Sequence, residues 1–557
     1  MQMVNITVQP GGKKTAYPAG TEVNALLEAG ASAPGLPYIA ARVNNDVVSL
    51  SYPLSVNCEV TFLTMADPHG WRIYRRSLSF ILAKAVRDTF PSARFSVDHS
   101  FGLGLYCSFS AEGSGEAGIT PDNLRRLEHS MESIAKRNLR IERRKISFAD
   151  AVMQFEQAGQ TDKLNLLKYR NPPRIVIHWC DGFSDLAHGP LVPATGVLDR
   201  FQLIHYPPGF VLHLPDRSNP REIPPFEDQP HLFQIFQEHK EWGRILEVNT
   251  VGRLNEIIAD NEIEDFVMTT EALHEKKVGR IADRIAARKG ELKLVLVAGP
   301  SCAGKTTFSK KLVTHLTVNG IKPTVISTDD YFVSPDRNPR DESGEPDYEH
   351  IEAVDIELFN QHLIDIIQGK EVQLPHFDFT SKERVYHGAG IGVGEEQVLI
   401  VEGIHGLNPR LTHMVPANRK FRIYVSALTQ LGVDANNRIS TTDNRLMRRL
   451  VRDSQFRGYS ALETLKRWPS VRRGEKTWIF PYQKEADATF NSALDYELAV
   501  LKPRVESLLM QVKPMQPEYA EARRLSEFLL NFLAFSESVV PTNSILREYI
   551  GGSRFEY

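Results

Sequence analysis

The residues best placed to do chemistry are Gly299-Pro-Ser-Cys-Ala-Gly-Lys-Thr306, which satisfy the pattern G-x-x-x-x-G-K-[ST]. In such a loop Gly299 and Gly304 let the backbone curl until its N–H groups, including those of Ser301, Ala303 and Gly304, face phosphate oxygens. Lys305 reaches the β- and γ-phosphates, and the Thr306 hydroxyl is a ligand for Mg²⁺. Thr307 extends the cradle into the helix, whose N-terminus adds a partial positive charge. Two further groups could complete a phosphoryl-transfer site. Asp329, in Thr328-Asp329-Asp330-Tyr331-Phe332, and Glu402, in Glu402-Gly403-Ile404, each follow an apolar run. Together with Thr306, these two strand-end carboxylates are the parts needed to hold Mg²⁺ and to orient a hydroxyl for in-line attack. Asp330 reads equally well as a site carboxylate or as a helix cap or solvated turn.

These groups need elements to hold them. Leu292–Ala298 is a continuous apolar run ahead of the loop, and Phe308–Leu316 has a helical pattern behind it, so strand, loop and helix follow in the required order. Thr324–Ser327 and Val398–Val401 read as buried parallel strands that deliver Asp329 and Glu402 at their carboxyl ends, where open α/β sheets bind ligands. Further on, Asp443–Asp453 is an arginine-rich helix followed by Arg457-Gly458. At helical spacing Arg445, Arg449 and Arg452 share one face, with Leu446, Leu450 and Met447 toward a core. A basic helix of this kind is either a solvated face or, in a phosphotransfer enzyme, a lid whose Arg449 and Arg452, with Arg457 beyond it, are expected to clamp triphosphate oxygens and spread transition-state charge.

Five segments occur in one order: Gly299–Thr307, Ser327–Phe332, Leu374-Pro375-His376-Phe377-Asp378-Phe379, Glu402-Gly403-Ile404 and Arg445–Gly458. Together they resemble the uridine kinase/phosphoribulokinase family over roughly residues 291–500. The resemblance implies a P-loop kinase domain with a parallel sheet, using ATP (GTP being the alternative triphosphate) and Mg²⁺. It implies Asp329 as general base toward a sugar hydroxyl and Glu402 as the Mg²⁺-linked carboxylate. Tyr348-Glu349-His350 stands where the family has an aromatic–Asp–His run that holds the ribose, so Tyr348 and Glu349 are expected to bind substrate, with Glu in place of Asp. Phe377 and Lys382 stand where uridine kinases place the Tyr and His that read the pyrimidine, and Tyr459 replaces an expected Arg. Losing a hydroxyl and an imidazole removes the directional hydrogen bonds of such a pocket.

Composition bounds the rest. With 557 residues, 42% hydrophobic and 24% charged, the chain is ordinary for a globular protein of several domains. A net charge of −3 argues against a dedicated nucleic-acid coat. Cys58, Cys107, Cys180 and Cys302 are scattered, which argues against a disulfide framework or a zinc site. There is no signal-peptide pattern and no apolar run long enough to span a bilayer, so a cytoplasmic enzyme is expected.

The first 66 residues read as a small α/β module. Val4–Val8 alternates, Gly11-Gly12 turns, Thr21–Ala29 has a helical period, Val43–Asp46 turns and Val60–Leu63 closes. This resembles the ubiquitin-like TGS domain of threonyl-tRNA synthetases. Residues 67–225, with helices at Arg75–Phe90 and Pro121–Asn138, strands at Gly104–Phe109 and Ile175–Trp179, and the run Gly189–Gly196, resemble the α+β editing domain of the same enzymes. That family's four zinc-type ligand positions are Arg76, Phe80, Ala187 and Leu191 here, so the resemblance implies the fold without the editing reaction. Residues 226–290 are expected as a helical connector, 291–502 as the kinase domain and 503–557 as a helical segment whose stripe Leu525, Phe528, Leu529, Phe532 and Leu533 packs a core or a dimer.

The leading functional expectation is phosphorylation of a primary hydroxyl of a nucleoside or related ribose-bearing small molecule. A kinase of a non-nucleoside hydroxyl compound is the second. A nucleotide-dependent regulator that binds tRNA or an amino acid through its front half is the third, although no residue pattern supports tRNA binding. No membrane partner is expected, and a homo-oligomer is allowed.

Overall fold

The computed structural model describes residues 2–27, 32–33, 35–111, 118–342, 344–378, 381, 383–386, 390–392, 394 and 397–556. The chain forms two compact units. The first comprises Met1–Ala259, Gln430–Ser440 and Leu509–Leu533, and the second Asp260–Thr429, Thr441–Leu508 and Ala534–Tyr557.

The second unit is built on β1 (Leu294–Ala298), α1 (Lys305–Val318), β2 (Pro323–Ser327), β3 (Val398–Glu402), β4 (Lys420–Ser426), α2 (Thr441–Phe456) and β5 (Ala488–Asn491). The strands form one sheet in the order β2-β3-β1-β4-β5, every pair parallel. A parallel sheet is covered on both faces, so its central strands are apolar throughout. Every residue of Leu-Val-Leu-Val-Ala in β1 is buried. Because all strands run the same way, their carboxyl ends share one edge. That edge carries the loop 299–304, Asp329 and Glu402 together.

The first unit opens with a mixed five-stranded sheet. Its strands are Lys13–Pro18, Met3–Gln9, Cys58–Leu63, Ala40–Val43 and Asp46–Ser49 in spatial order, with Met3–Gln9 parallel to Cys58–Leu63. The Val43–Asp46 turn is formed as expected, with Asn44 and Asn45 at φ 47° and 61°. The expected helix over Thr21–Ala29 is not formed. Thr21–Glu22 pairs with Pro53–Leu54 and, of the described residues, only Val23–Leu26 makes a 3₁₀ turn, while Glu28 and Ala29 lie outside the described residues. Val23 is fully buried and fixes this short turn to the core.

The helix Pro68–Thr89 follows, capped by Asp67, whose carboxylate accepts from the N–H groups of His69 and Gly70. It packs in one core with Pro121–Lys136 and the strands Gly104–Ser110, Gly209–His213 and Gln202–Tyr206. Phe80, Ala187 and Leu191 are buried in that core. Arg76 donates from Nη1 to the Pro190 carbonyl at 3.1 Å. Three of the four positions inherited from a ligand set are therefore apolar packing.

The expected connector 226–290 and tail 503–557 are each divided between the units. Ion pairs explain why distant segments join the first unit. Arg72 pairs with Glu521 at 2.6 Å and Asp46 with Arg523 at 3.3 Å, which holds Leu509–Leu533 in place. Gln430–Ser440 is held by a buried network. Lys163, 1% exposed, lies 3.0 Å from Asp185, 3.3 Å from Asp162 and 3.6 Å from Asp434. His188 Nε2 meets Asp434 Oδ2 at 2.8 Å, and Asn436 donates to Asp185 at 2.7 Å. His188 is thus tied to the inserted segment.

Removing one member of a buried ionic cluster strands the others, at a cost of about 3–5 kcal/mol. Lys163→Met is expected to lose about that much stability in urea denaturation, and adding Asp434→Asn is expected to recover part of it. A Lys163→Met protein as stable as the parent would contradict this.

Candidate active site

The loop after β1 is fixed by a steric constraint. Gly299 has φ 159°, and a Cβ there would lie 1.9 Å from the Val425 carbonyl oxygen, so only glycine fits beside β4. Gly304, at φ 80°, opens α1, and a Cβ there would lie 2.6 Å from Ile545 Cγ2. Between them Cys302 takes φ 58°. This left-handed step turns the loop around the amino end of α1, as an anion cradle requires.

Thr306 is the second residue of α1, and its hydroxyl donates to Glu402 Oε1 at 3.0 Å. Glu402 Oε2 is buried and has no hydrogen-bond partner. Burial, partly offset by Lys305, pushes the Glu402 carboxyl up to about 7. A carboxylate desolvated this way and half-satisfied calls for a cation. Thr306 and Glu402 thus fit Mg²⁺, which keeps few protein ligands and completes its shell with phosphate and water. Among the described residues no cluster of three or more His, Cys, Asp or Glu side chains is arranged to hold a metal.

Asp329 is delivered by the turn Thr328–Tyr331 after β2. Its charge acts on Glu402, Glu349 and Arg457, which places it among them. Lys305 acts on Glu402 and Glu349 too, and its ammonium rests 3.3 Å from the Pro300 carbonyl. Glu349 Oε2 is likewise buried without a partner, and burial, offset first by Arg449, raises its carboxyl to about 7. Lys305, Thr306, Asp329, Glu349, Glu402, Arg449 and Arg457 therefore converge.

Asp330 serves structure instead. Its Oδ1 accepts from His376 Nδ1 at 3.0 Å and from the Phe377 N–H at 3.3 Å. Phe377 itself is 2% exposed, and its ring lies edge-on to Phe332 at 5.6 Å, so the structure places it in the core. Tyr348 also packs edge-on against Phe332, at 5.8 Å. Lys382 lies outside the described residues.

The arginine helix α2 departs from the expected picture of one basic face. Leu446, Met447 and Leu450 are buried as expected, but so are Arg445 and Arg448. Arg445 pairs bidentately with Glu475 and donates to the Ser301 carbonyl at 3.0 Å. Arg448 pairs with Glu497 at 2.5 Å and donates to the Ser492 carbonyl at 2.8 Å. Arg449 reaches Ser301 Oγ at 3.0 Å while Asp453 holds its Nε at 3.1 Å. Arg452 pairs with the same Asp453 at 2.7 Å. The helix therefore braces the loop through residues 301–302, and Arg445 and Arg448 position it. Residue spacing cannot show this, because the matching carboxylates Glu475 and Glu497 lie far along the chain.

With this geometry in view, the comparison with known families is decisive for the second unit. Residues 294–499 match the Phosphoribulokinase / Uridine kinase family. They form a P-loop kinase domain, and the resemblance drawn from the five motifs stands. The front of the chain is similar instead to threonine–tRNA ligases. That of Geobacter sp. (strain M21) is 29% identical over 203 residues, covering 36% of this chain and 31% of the ligase. That of Coxiella burnetii (strain RSA 493 / Nine Mile phase I) is 30% identical over 199 residues, covering 35% and 30%. The chain thus spans less than a third of the length of these curated relatives. Among solved structures, one described as a possible uridine kinase from Bacillus stearothermophilus is 17% identical, covering 39% of this chain and 98% of that one, with a TM-score of 0.28. At that score it bears no weight on function. No helix among the described residues is long and apolar enough to cross a membrane.

The raised Glu402 carboxyl gives a stability signature. Its folded value, about 7, lies above the usual 4.5, so the fold favours the protonated form. That stabilisation is complete below pH ~4.5 and is lost as pH rises through ~7. Without Mg²⁺ or nucleotide, Glu402→Gln is expected to melt higher than the parent at pH 8, with the difference shrinking toward pH 5. A variant that melts lower at pH 8 would contradict this.

Proposed function

We propose that the second unit transfers the γ-phosphoryl group of Mg²⁺·ATP to a primary hydroxyl of a ribose-bearing small molecule of the nucleoside class. The observation that carries this is the convergence of Lys305, Thr306, Asp329 and Glu402 at one sheet edge, with Glu402 half-satisfied beside the Thr306 hydroxyl. Lys305 and the loop N–H groups hold the phosphates. Thr306 and Glu402 hold the Mg²⁺, which neutralises phosphate charge when bound. Asp329 orients the acceptor hydroxyl and takes its proton as the oxygen attacks in line. Arg449 and Arg452, aimed by Asp453, stabilise charge on the transferring group. Glu349, buried beside Arg449, accepts hydroxyl hydrogens of the acceptor once ionised.

A second acceptor class, a hydroxyl compound without a base, draws support from one observation. Phe377 is packed in the core, and so offers no face on which a base could stack. The first unit, with Phe80, Ala187 and Leu191 buried, is read as a retained fold without hydrolytic chemistry.

The deciding experiment is ADP release with Mg²⁺·ATP against nucleosides, free sugars and sugar acids. Turnover with one or more ribose-bearing acceptors is expected, falling about 10²–10⁴-fold in kcat in Asp329→Asn while ATP affinity is kept. Turnover confined to acceptors without ribose selects the second class. No turnover with any acceptor, or full turnover in Asp329→Asn, removes the mechanism.

A further inference from the structure

A triphosphate-binding loop presents backbone N–H groups, a lysine and the positive end of a helix dipole, and so attracts an anion. This chain supplies one itself. The Glu548 carboxylate accepts from the Thr307 N–H at 3.2 Å and from the Thr307 hydroxyl at 2.7 Å through the same oxygen, Oε2. Thr307 is the third residue of α1, so both of these donors belong to the amino end that such loops turn toward phosphate. The residues around Glu548 close on the loop as well. Ile545, fully buried, sits where a side chain at Gly304 would have to go. Tyr549, also fully buried, lies 5.2 Å under the Arg448 guanidinium on α2. Charge, an apolar contact and a ring thus occupy three adjoining parts of one site.

We infer that the segment Ser544–Ile550 is an internal plug, with Glu548 standing in for a nucleotide phosphate on Thr307, and that ATP binds only after this segment has moved. This rests on the proposal that the loop takes a triphosphate. Carboxylate and phosphate cannot share the Thr307 donors, because like charges at that distance repel. The plugged state therefore reduces the apparent ATP affinity by the fraction of molecules that are open. Losing a hydrogen bond to a charged carboxylate at a helix end shifts the open fraction by about tenfold or more.

Two measurements on the full chain test the plug. Direct calorimetric titration with Mg²⁺·ATP, without any acceptor, is expected to give Glu548→Ala a Kd about tenfold lower than the parent. Hydrogen–deuterium exchange of the unaltered protein is expected to rise over residues 541–556 when Mg²⁺·ATP is added. If Glu548 merely shapes the loop, Glu548→Ala binds ATP equally or more weakly and the tail becomes more protected, and either result overturns the plug. If neither protein binds ATP, the kinase reading fails and the plug fails with it. Equal binding by both sinks the plug alone.

Discussion

The second unit depends on one close approach, the packing of Gly299 against the Val425 carbonyl. That contact brings the end of β1 so near β4 that the chain must leave the sheet in a tight curl. The curl in turn sets the register at which α1 begins. Had any side chain been present at 299, the loop could not lie across the sheet edge. Lys305 and Thr306 would then be carried away from Glu402. The parallel arrangement of β1, β2 and β3 does the rest, since it puts Asp329 and Glu402 at the same edge without any further device.

Around that edge the structure accumulates charge that it does not balance internally. Glu402 and Glu349 each keep one oxygen without a partner, and both are raised by burial. Two arginines of α2, by contrast, are balanced, Arg445 by Glu475 and Arg448 by Glu497, while Arg449 and Arg452 share the single carboxylate of Asp453. The contrast separates the two roles. Balanced pairs fix the position of a helix against the loop, whereas a buried carboxylate oxygen without a partner is suited to a cation or a hydroxyl. Buried ionic pairs add little net stability, but breaking one is costly, so they hold geometry firmly.

The local parts of this architecture were legible in the sequence. The buried strand Leu294–Ala298, the helix after Lys305 and the strand-end carboxylates follow from apolar runs and turn residues, which act over a few positions. What escaped depends on partners far away in the chain. Nothing near Asp434 shows that it will meet Lys163 and His188, so the assignment of Gln430–Ser440 to the first unit could not be read. The sequence offered no role for Arg448, because its partner Glu497 lies about fifty residues on. Glu548 carried no signal at all, since a lone Glu in a short terminal helix is unremarkable until its position on Thr307 is seen. Phe377 was expected at the acceptor because of where it falls in a motif, yet its neighbour Asp330 ties its backbone so that the ring points into the core.

The central claim is that Thr306 and Glu402 hold one cation jointly with a triphosphate on the loop 299–306. It is tested most directly by a crystal structure with Mg²⁺ and a non-hydrolysable ATP analogue. The account predicts the β-phosphate against the loop N–H groups, a metal ion on the Thr306 hydroxyl, and Glu402 bonded to that metal or to one of its waters. A nucleotide bound elsewhere, or a metal ion that leaves Glu402 unengaged, would contradict it.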